Sequence, residues 1–332
     1  MSADPTTPLA IQVSDPSYGP GLDPTEADTA SVDATVEGVP FAPITPQAVP
    51  EGELAFIDGA QQVEAWLTLT VGGDPAARPG AAFAVAAGAV LTGPRRQAEI
   101  ARLLVRRYVL TVGRERIVMP ATGGFTWESR ADAANEATGI ARFVGLYRQQ
   151  LELSLAEQLA DGGRLVVLDG PLSHLRDGAG PVMGAVKSHH RMYLPPAESR
   201  AVVGLEVGQR TPLFAIGDDR LSWYQRLPGV GSDGWAGILR GELPASVGVA
   251  AARALADRAA AELPRYAGRP HRDPRAPQNM TPIAGLENRL RHRMGDRRLA
   301  LRAVRRAVAM ATIDAPSPVR VDVAAPLEPV PA

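Results

Sequence analysis

Apolar and polar positions show no period up to about residue 50 and clear patterning after it. Residues 1 to about 50 are rich in Pro, Asp, Thr and Ala with scattered large hydrophobes, which predicts a disordered acidic tail. From Glu53 onward, Leu54 to Ile57, Gln62 to Thr70 and Ala81 to Leu91 are β-prone runs separated by Gly, Pro and Asp, as in an antiparallel meander. Ile140, Val144, Tyr147, Leu151, Leu155 and Leu159 recur at helical spacing and predict a helix over about 137–159, ended by Asp161, Gly162 and Gly163. Arg164 to Leu168 reads as a buried strand running into Asp169 and Gly170. Further strands are expected at 182–187, 202–207, 212–216, 221–226 and 235–240, and helices at 247–263, 283–294 and 297–311. The order of elements favours an α/β or α+β domain over about 51–312, followed by a flexible tail over 313–332. Three strands, a helix and another strand predict a mixed sheet, part meander and part parallel, flanked by helices, with a C-terminal helical segment.

Composition narrows the chemistry. The chain has no cysteine, so disulfides, thiolate metal sites and cysteine nucleophiles are excluded, and any metal must be held by oxygen or imidazole. No apolar run is long enough to predict a membrane span, and the N-terminus lacks the pattern of a signal peptide, so a cytoplasmic address is expected. The net charge of -1 conceals a polarity. Residues 1–77 hold twelve acids and no Lys or Arg, whereas Arg265 to Arg306 holds twelve arginines against Asp273, Glu287 and Asp296. Such an excess suits a phosphate backbone; it also suits a solvated helix face.

Two strands end alike, Phe56-Ile57-Asp58-Gly59 and Val167-Leu168-Asp169-Gly170. A carboxylate at the end of a buried strand needs a compensating charge, which a cation supplies, although Asp-Gly is also a favoured turn dipeptide. Glu152 lies about eight residues before the helix end, roughly 12 Å at helical rise. The strand climbs roughly 16 Å back to Asp169, so the two carboxyls finish at similar height. Glu157 would stop short of that level and is expected to face solvent. Three converging carboxylates could hold Mg²⁺ or Mn²⁺ ions for phosphodiester cleavage; an exposed helix glutamate is the alternative for Glu152.

On these residues the chain resembles the NurA nuclease family, from about Glu53 to Ala311. The resemblance rests on Asp58, on Glu152 in the long helix and on Asp169-Gly170-Pro171-Leu172. It extends to Lys187-Ser188-His189-His190, Gln209-Arg210-Thr211-Pro212, Trp235 to Arg240, and Pro277-Gln278-Asn279 through Pro282-Ile283 to Glu287. It implies an RNase H-like nuclease that cuts DNA with Mn²⁺ or Mg²⁺, as a 5'-3' exonuclease and single-strand endonuclease in end processing and double-strand break repair. The implied partners are single- and double-stranded DNA, a HerA-like hexameric ATPase and a second copy in a homodimer, with no membrane. Archaeal members carry a tyrosine and a histidine where this chain places Asn279 and Glu287, so Glu287 is a candidate last ligand with Asn279 beside it. Glu287 could instead pair with Arg291 at i+4, and Asp273 is another candidate.

Lys187 is the single lysine beside 34 arginines, a compact ammonium suited to a phosphate or an attacking water. His190, Arg210, Arg240, Arg275 and Arg291 are the expected DNA contacts, with at most one of His189 and His190 engaged. Trp223, Tyr224 and Trp235 could stack on bases or fill the core. Gly229 to Gly234 matches G-x-G-x-x-G but does not open a helix, so no dinucleotide site is expected, and no nucleotide-hydrolysis motif surrounds Lys187. Two alternatives remain open: a non-catalytic adaptor of a DNA motor, and an RNase H-like nuclease acting on RNA or hybrid.

Overall fold

The computed structural model describes residues 9–14, 31–47, 52–71, 77–113, 115–132, 137–160, 164–172, 180–187, 193–229, 237–269, 271–272 and 276–314. In chain order the strands before the first helix are β1 (Leu9–Ser14), β2 (Val32–Asp33), β3 (Leu54–Val71), β4 (Arg78–Gly93), β5 (Arg96–Val112), β6 (Arg116–Val118) and β7 (Glu128–Asp132). Helix α1 (Ala137–Ala160), β8 (Leu165–Asp169), β9 (Val182–Val186), α2 (Pro196–Val203), β10 (Phe214–Ile216), β11 (Arg220–Arg226) and β12 (Ile238–Pro244) follow. Helices α3 (Val249–Glu262), α4 (Thr281–Met294) and α5 (Arg297–Val308) and strand β13 (Thr312–Asp314) complete the set.

The main sheet runs β2-β10-β11-β12-β9-β8-β3-β4-β5-β7, with β1 also on β3. Pairs β3/β8, β8/β9 and β5/β7 are parallel and the others antiparallel, giving an α/β architecture with one large mixed sheet between helices. Alternation along the strands divides the core. Ala55, Ile57, Val166 and Leu168 face α1 together with Phe83 and Val85. Leu54, Phe56, Leu165 and Val167 face α3 and α4 together with Ala84 and Ala86. Alanines fill β4 because helices cover both its faces at close range.

Three expectations are corrected. First, the runs at 54–57 and 62–70 are one continuous strand, with a register shift between Val63 and Ala65. Gly59 stays in the strand because its bare Cα leaves room for a side chain of α1. The third arm of the meander is β5, whose apolar signal is weak because only Tyr108 to Val112 enters the core as a fully buried run. Second, the region read as a disordered tail is ordered in part. β1 pairs with β3 and β2 with β10, Ile44 exchanges backbone hydrogen bonds with Arg210, and Val36 and Phe41 pack on the core. The rest of that tail, and residues 315–332 of the expected C-terminal tail, lie outside the described residues. Third, the strand expected at 202–207 begins inside α2, which Pro196 opens at a position where its missing N–H costs nothing.

The helices expected at 137–159, 247–263, 283–294 and 297–311 are present within a few residues as α1, α3, α4 and α5. Trp223 and Tyr224 are core residues, 0% and 1% exposed, which rules out base stacking by either in this structure. The Trp223 indole lies against Gly241 of β12, where a Cβ would overlap the ring. Gly241→Ala is therefore expected to lower stability by about 1–3 kcal/mol through overpacking, read as a drop in the urea midpoint at unchanged slope.

Candidate functional site

The candidate site forms where two parallel strands part. The last paired residues of β3 and β8 are Ile57 and Leu168, so Asp58 and Asp169 are the next residue on each side of the split. Beyond it β3 continues beside β4, while Asp169 pairs with Ala185 of β9. Alternation places both aspartates on the α3/α4 face, in phase with Phe56 and Val167. Lys187 follows β9 in phase with Met183 and Ala185 of the same face. Its Nζ donates to Asp169 Oδ1 at 2.7 Å and to Asn279 Oδ1 at 2.7 Å. Asn279 is buried two residues before α4, which carries Glu287. That carboxylate acts on Asp58 electrostatically while pairing with Arg291 at 2.9 Å.

Glu152 arrives from the opposite helix layer. An added Cβ at Gly59 would overlap Glu152 Oε1 and crowd the Arg148 stem, so the glycine is what lets α1 bring this carboxylate against β3. Arg148, one turn earlier on α1, hydrogen-bonds Glu152. Gln149, Glu152, Leu153, Leu168, Asp169 and Pro171 line a small cleft, so Glu152 and Asp169 share one solvent space.

Burial and mutual repulsion set the protonation of this group. Asp58 is pushed up to about 7, chiefly by burial and then by the Asp169 carboxylate, with Glu287 adding. The Gly59 N–H, donating to Asp58 Oδ1 at 2.8 Å, and Lys187 oppose the shift. Glu152 is also pushed up to about 7, again chiefly by burial, with Asp58 and Asp169 raising it and Arg148 lowering it. The folded state therefore retains protons that the unfolded chain releases from about pH 4, and stability falls as pH rises until both groups have ionised near pH 7. Asp58→Asn removes one such penalty. Its gain in unfolding free energy over wild type is expected to be larger at pH 8 than at pH 5, by roughly 2 kcal/mol. A gain that does not change with pH would contradict the assigned shift.

Among the described residues, no group of three or more carboxylate or imidazole side chains is preassembled around a common cation position. Protein cations already sit on two of the carboxylates, Lys187 on Asp169 and Arg148 on Glu152.

Two expected DNA contacts are corrected. Arg210 is 1% exposed, and its guanidinium donates to Glu37 and Asp257. Arg240 is 5% exposed, donates to Glu242 Oε1 at 2.7 Å and stacks 4.6 Å over Tyr193. Burial inside ion pairs removes both from a surface that could meet DNA. Arg291 is exposed on α4. Glu157, expected to face solvent, is half-buried. His189, His190, Asp273, Arg275 and Trp235 lie outside the described residues. Arg148 was not singled out by the sequence, although its place four residues before Glu152 is the usual spacing of a helical ion pair. No family model matches the chain, and no curated protein is significantly similar to it.

Proposed function

We propose that the chain is a metal-dependent DNA nuclease of RNase H-like architecture, similar to NurA proteins, acting in DNA end processing as a homodimer with a HerA-like hexameric ATPase. The observation that carries this reading is the meeting of Asp58 and Asp169 at the split between β3 and β8, with Glu152, Glu287, Asn279 and the sole lysine around them. The donor set fits a hard divalent cation, because these groups offer oxygen and no sulfur. The charge balance fits too: two buried carboxyls pushed up to about 7 by burial and by neighbouring carboxylates are what added positive charge would relieve.

Asp58, Asp169 and Glu152 would hold Mn²⁺ or Mg²⁺, with Asn279 and Glu287 as further oxygen donors from the α4 side. When bound, such ions activate water and stabilise the leaving oxygen of a phosphodiester. Lys187 orients Asp169 and would meet a phosphate brought to these carboxylates, and Asn279 fixes the direction of its ammonium. Arg148 holds Glu152 in place against Gly59. Ionisation of Asp58 and Glu152 makes cation binding tighter as pH rises through 7.

The test is cleavage of end-labelled linear duplex DNA, single-stranded DNA, RNA and hybrid by the purified chain with Mn²⁺, with Mg²⁺ and with chelator. Cation-dependent loss of DNA with RNA spared supports the reading. RNA or hybrid cut in preference assigns a different substrate to the same site. Lys187 and Arg148 already neutralise Asp169 and Glu152, which favours as second reading a non-catalytic adaptor. No cleavage of any substrate with either cation would select it.

A further inference from the structure

The C-terminal arginines that the carboxylate site does not use form a stripe on α5. Asp296 caps this helix by accepting from the backbone N–H groups of Arg298 and Leu299. Ala303, Val304 and Ala307 are buried against Ala65, Leu67 and Leu69 of β3 and Ala82 of β4, and Ala300 is buried on the same side of the helix. At 100° per residue, Arg298, Arg302, Arg305 and Arg306 fall on the opposite side, and all four are exposed. No acidic side chain pairs with these four among the described residues, and α5 contains no Asp or Glu. Arg289, Arg291 and Arg293 are exposed on α4, the preceding helix.

Position along β3 gives the stripe a direction. Ala82, Ala84, Ala86 and Gly88, the partner of Asp58, lie two residues apart on β4 and point to one side, so α4, α5 and the two aspartates share one face of the sheet. The stretch of β3 under α5 begins seven residues beyond Asp58 and ends eleven beyond it. At strand rise that is roughly 23 to 36 Å.

We propose that the outward face of α5 is a phosphate track that holds a nucleic acid strand roughly 23 to 36 Å along β3 from the carboxylates. The proposal rests on the nuclease reading of that site and adds where the substrate lies. A lipid surface is the poorer fit, because the apolar side of α5 is already consumed by the sheet and cannot enter a bilayer. An acidic protein would explain the charge but not its continuation across α4 to a phosphodiester site.

The test uses the full chain with Arg298, Arg302, Arg305 and Arg306 all changed to Gln, in chelator, so that binding is read apart from cleavage. Fluorescence anisotropy is measured with single-stranded DNA of 6 and 30 nucleotides over a range of salt, and sedimentation with phosphatidylserine vesicles runs beside it. Both lengths are expected to bind more weakly, the 30-mer by at least about tenfold, with the slope of log affinity against log salt smaller by about 3. Unchanged 30-mer binding, or loss of vesicle binding alone, would overturn the track. If the melting temperature of the fourfold variant falls, R298Q/R302Q and R305Q/R306Q carry the same comparison. Stripe-dependent DNA binding by a wild-type chain that cuts nothing would end the nuclease reading and leave the track standing.

Discussion

Asp58→Asn and Asp169→Asn are each expected to reduce cation-dependent cleavage of linear DNA by about a hundredfold or more, since removing even the partners that orient a ligand typically costs 10–100-fold. Both changes keep the shape of the side chain and remove its charge at the point where β3 and β8 part. The Asp58 variant separates loss of chemistry from loss of fold. Burial and the neighbouring Asp169 make the ionised Asp58 carboxyl costly, so the amide should leave the folded state as stable or more stable above pH 7. Activity lost while the melting temperature holds or rises identifies a group kept for function at the expense of stability. Wild-type rates in both variants under single turnover would remove these residues from the mechanism.

The second large effect lies away from the site. Arg210→Met is expected to destabilise the chain by about 3–5 kcal/mol, because it strands a buried carboxylate. The guanidinium donates to both oxygens of Glu37 at 2.9 Å and to Asp257 at 2.6 Å, which joins the N-terminal segment to the β10–β11 region and to α3. Burial raises the pKa of Glu37, but its hydrogen bonds to Arg210 and Leu213 N–H and the charges of Arg210 and Arg253 outweigh that and hold it below the usual value. The stabilisation is thus present above about pH 4.5 and fades as pH falls through the lowered value. The gap between wild type and variant in urea denaturation should narrow in acid, and Arg210→Met with Glu37→Gln should recover part of the loss. Equal stability of Arg210→Met and wild type at pH 7 would show that the pair is not formed.

These two outcomes mark what the sequence conveys and what it hides. Asp58 and Asp169 were legible because an acid directly after an apolar run is a local pattern with a local cost, although only Asp169 ends its strand, since β3 runs on through Asp58. The helix carrying Glu152 was legible because its buried positions, Ile140, Val144, Leu151 and Leu155, recur at helical spacing. Arg210 was misplaced because a sequence shows a charge and not the partner that buries it, and Glu37 lies 173 residues away. The same gap made the acidic tail look disordered: its few apolar residues become sufficient only once β10 and Arg210 are beside them. Continuity of β3 through Gly59 was hidden for a related reason, since the group that occupies the glycine's missing side chain comes from α1. Carboxylates that look available in sequence are already held by the chain's own cations.

The most direct measurement of the central idea is calorimetric titration of Mn²⁺ into the full chain at pH 6.5, in two buffers of different ionisation enthalpy. The wild type should bind with release of about one to two protons, drawn from Asp58 and Glu152, whose carboxyls stand near 7. The Asp58→Asn, Asp169→Asn double variant should lose at least about tenfold in affinity and most of the proton release. Binding of equal strength in the double variant, or none in the wild type, would contradict a cation site at these carboxylates.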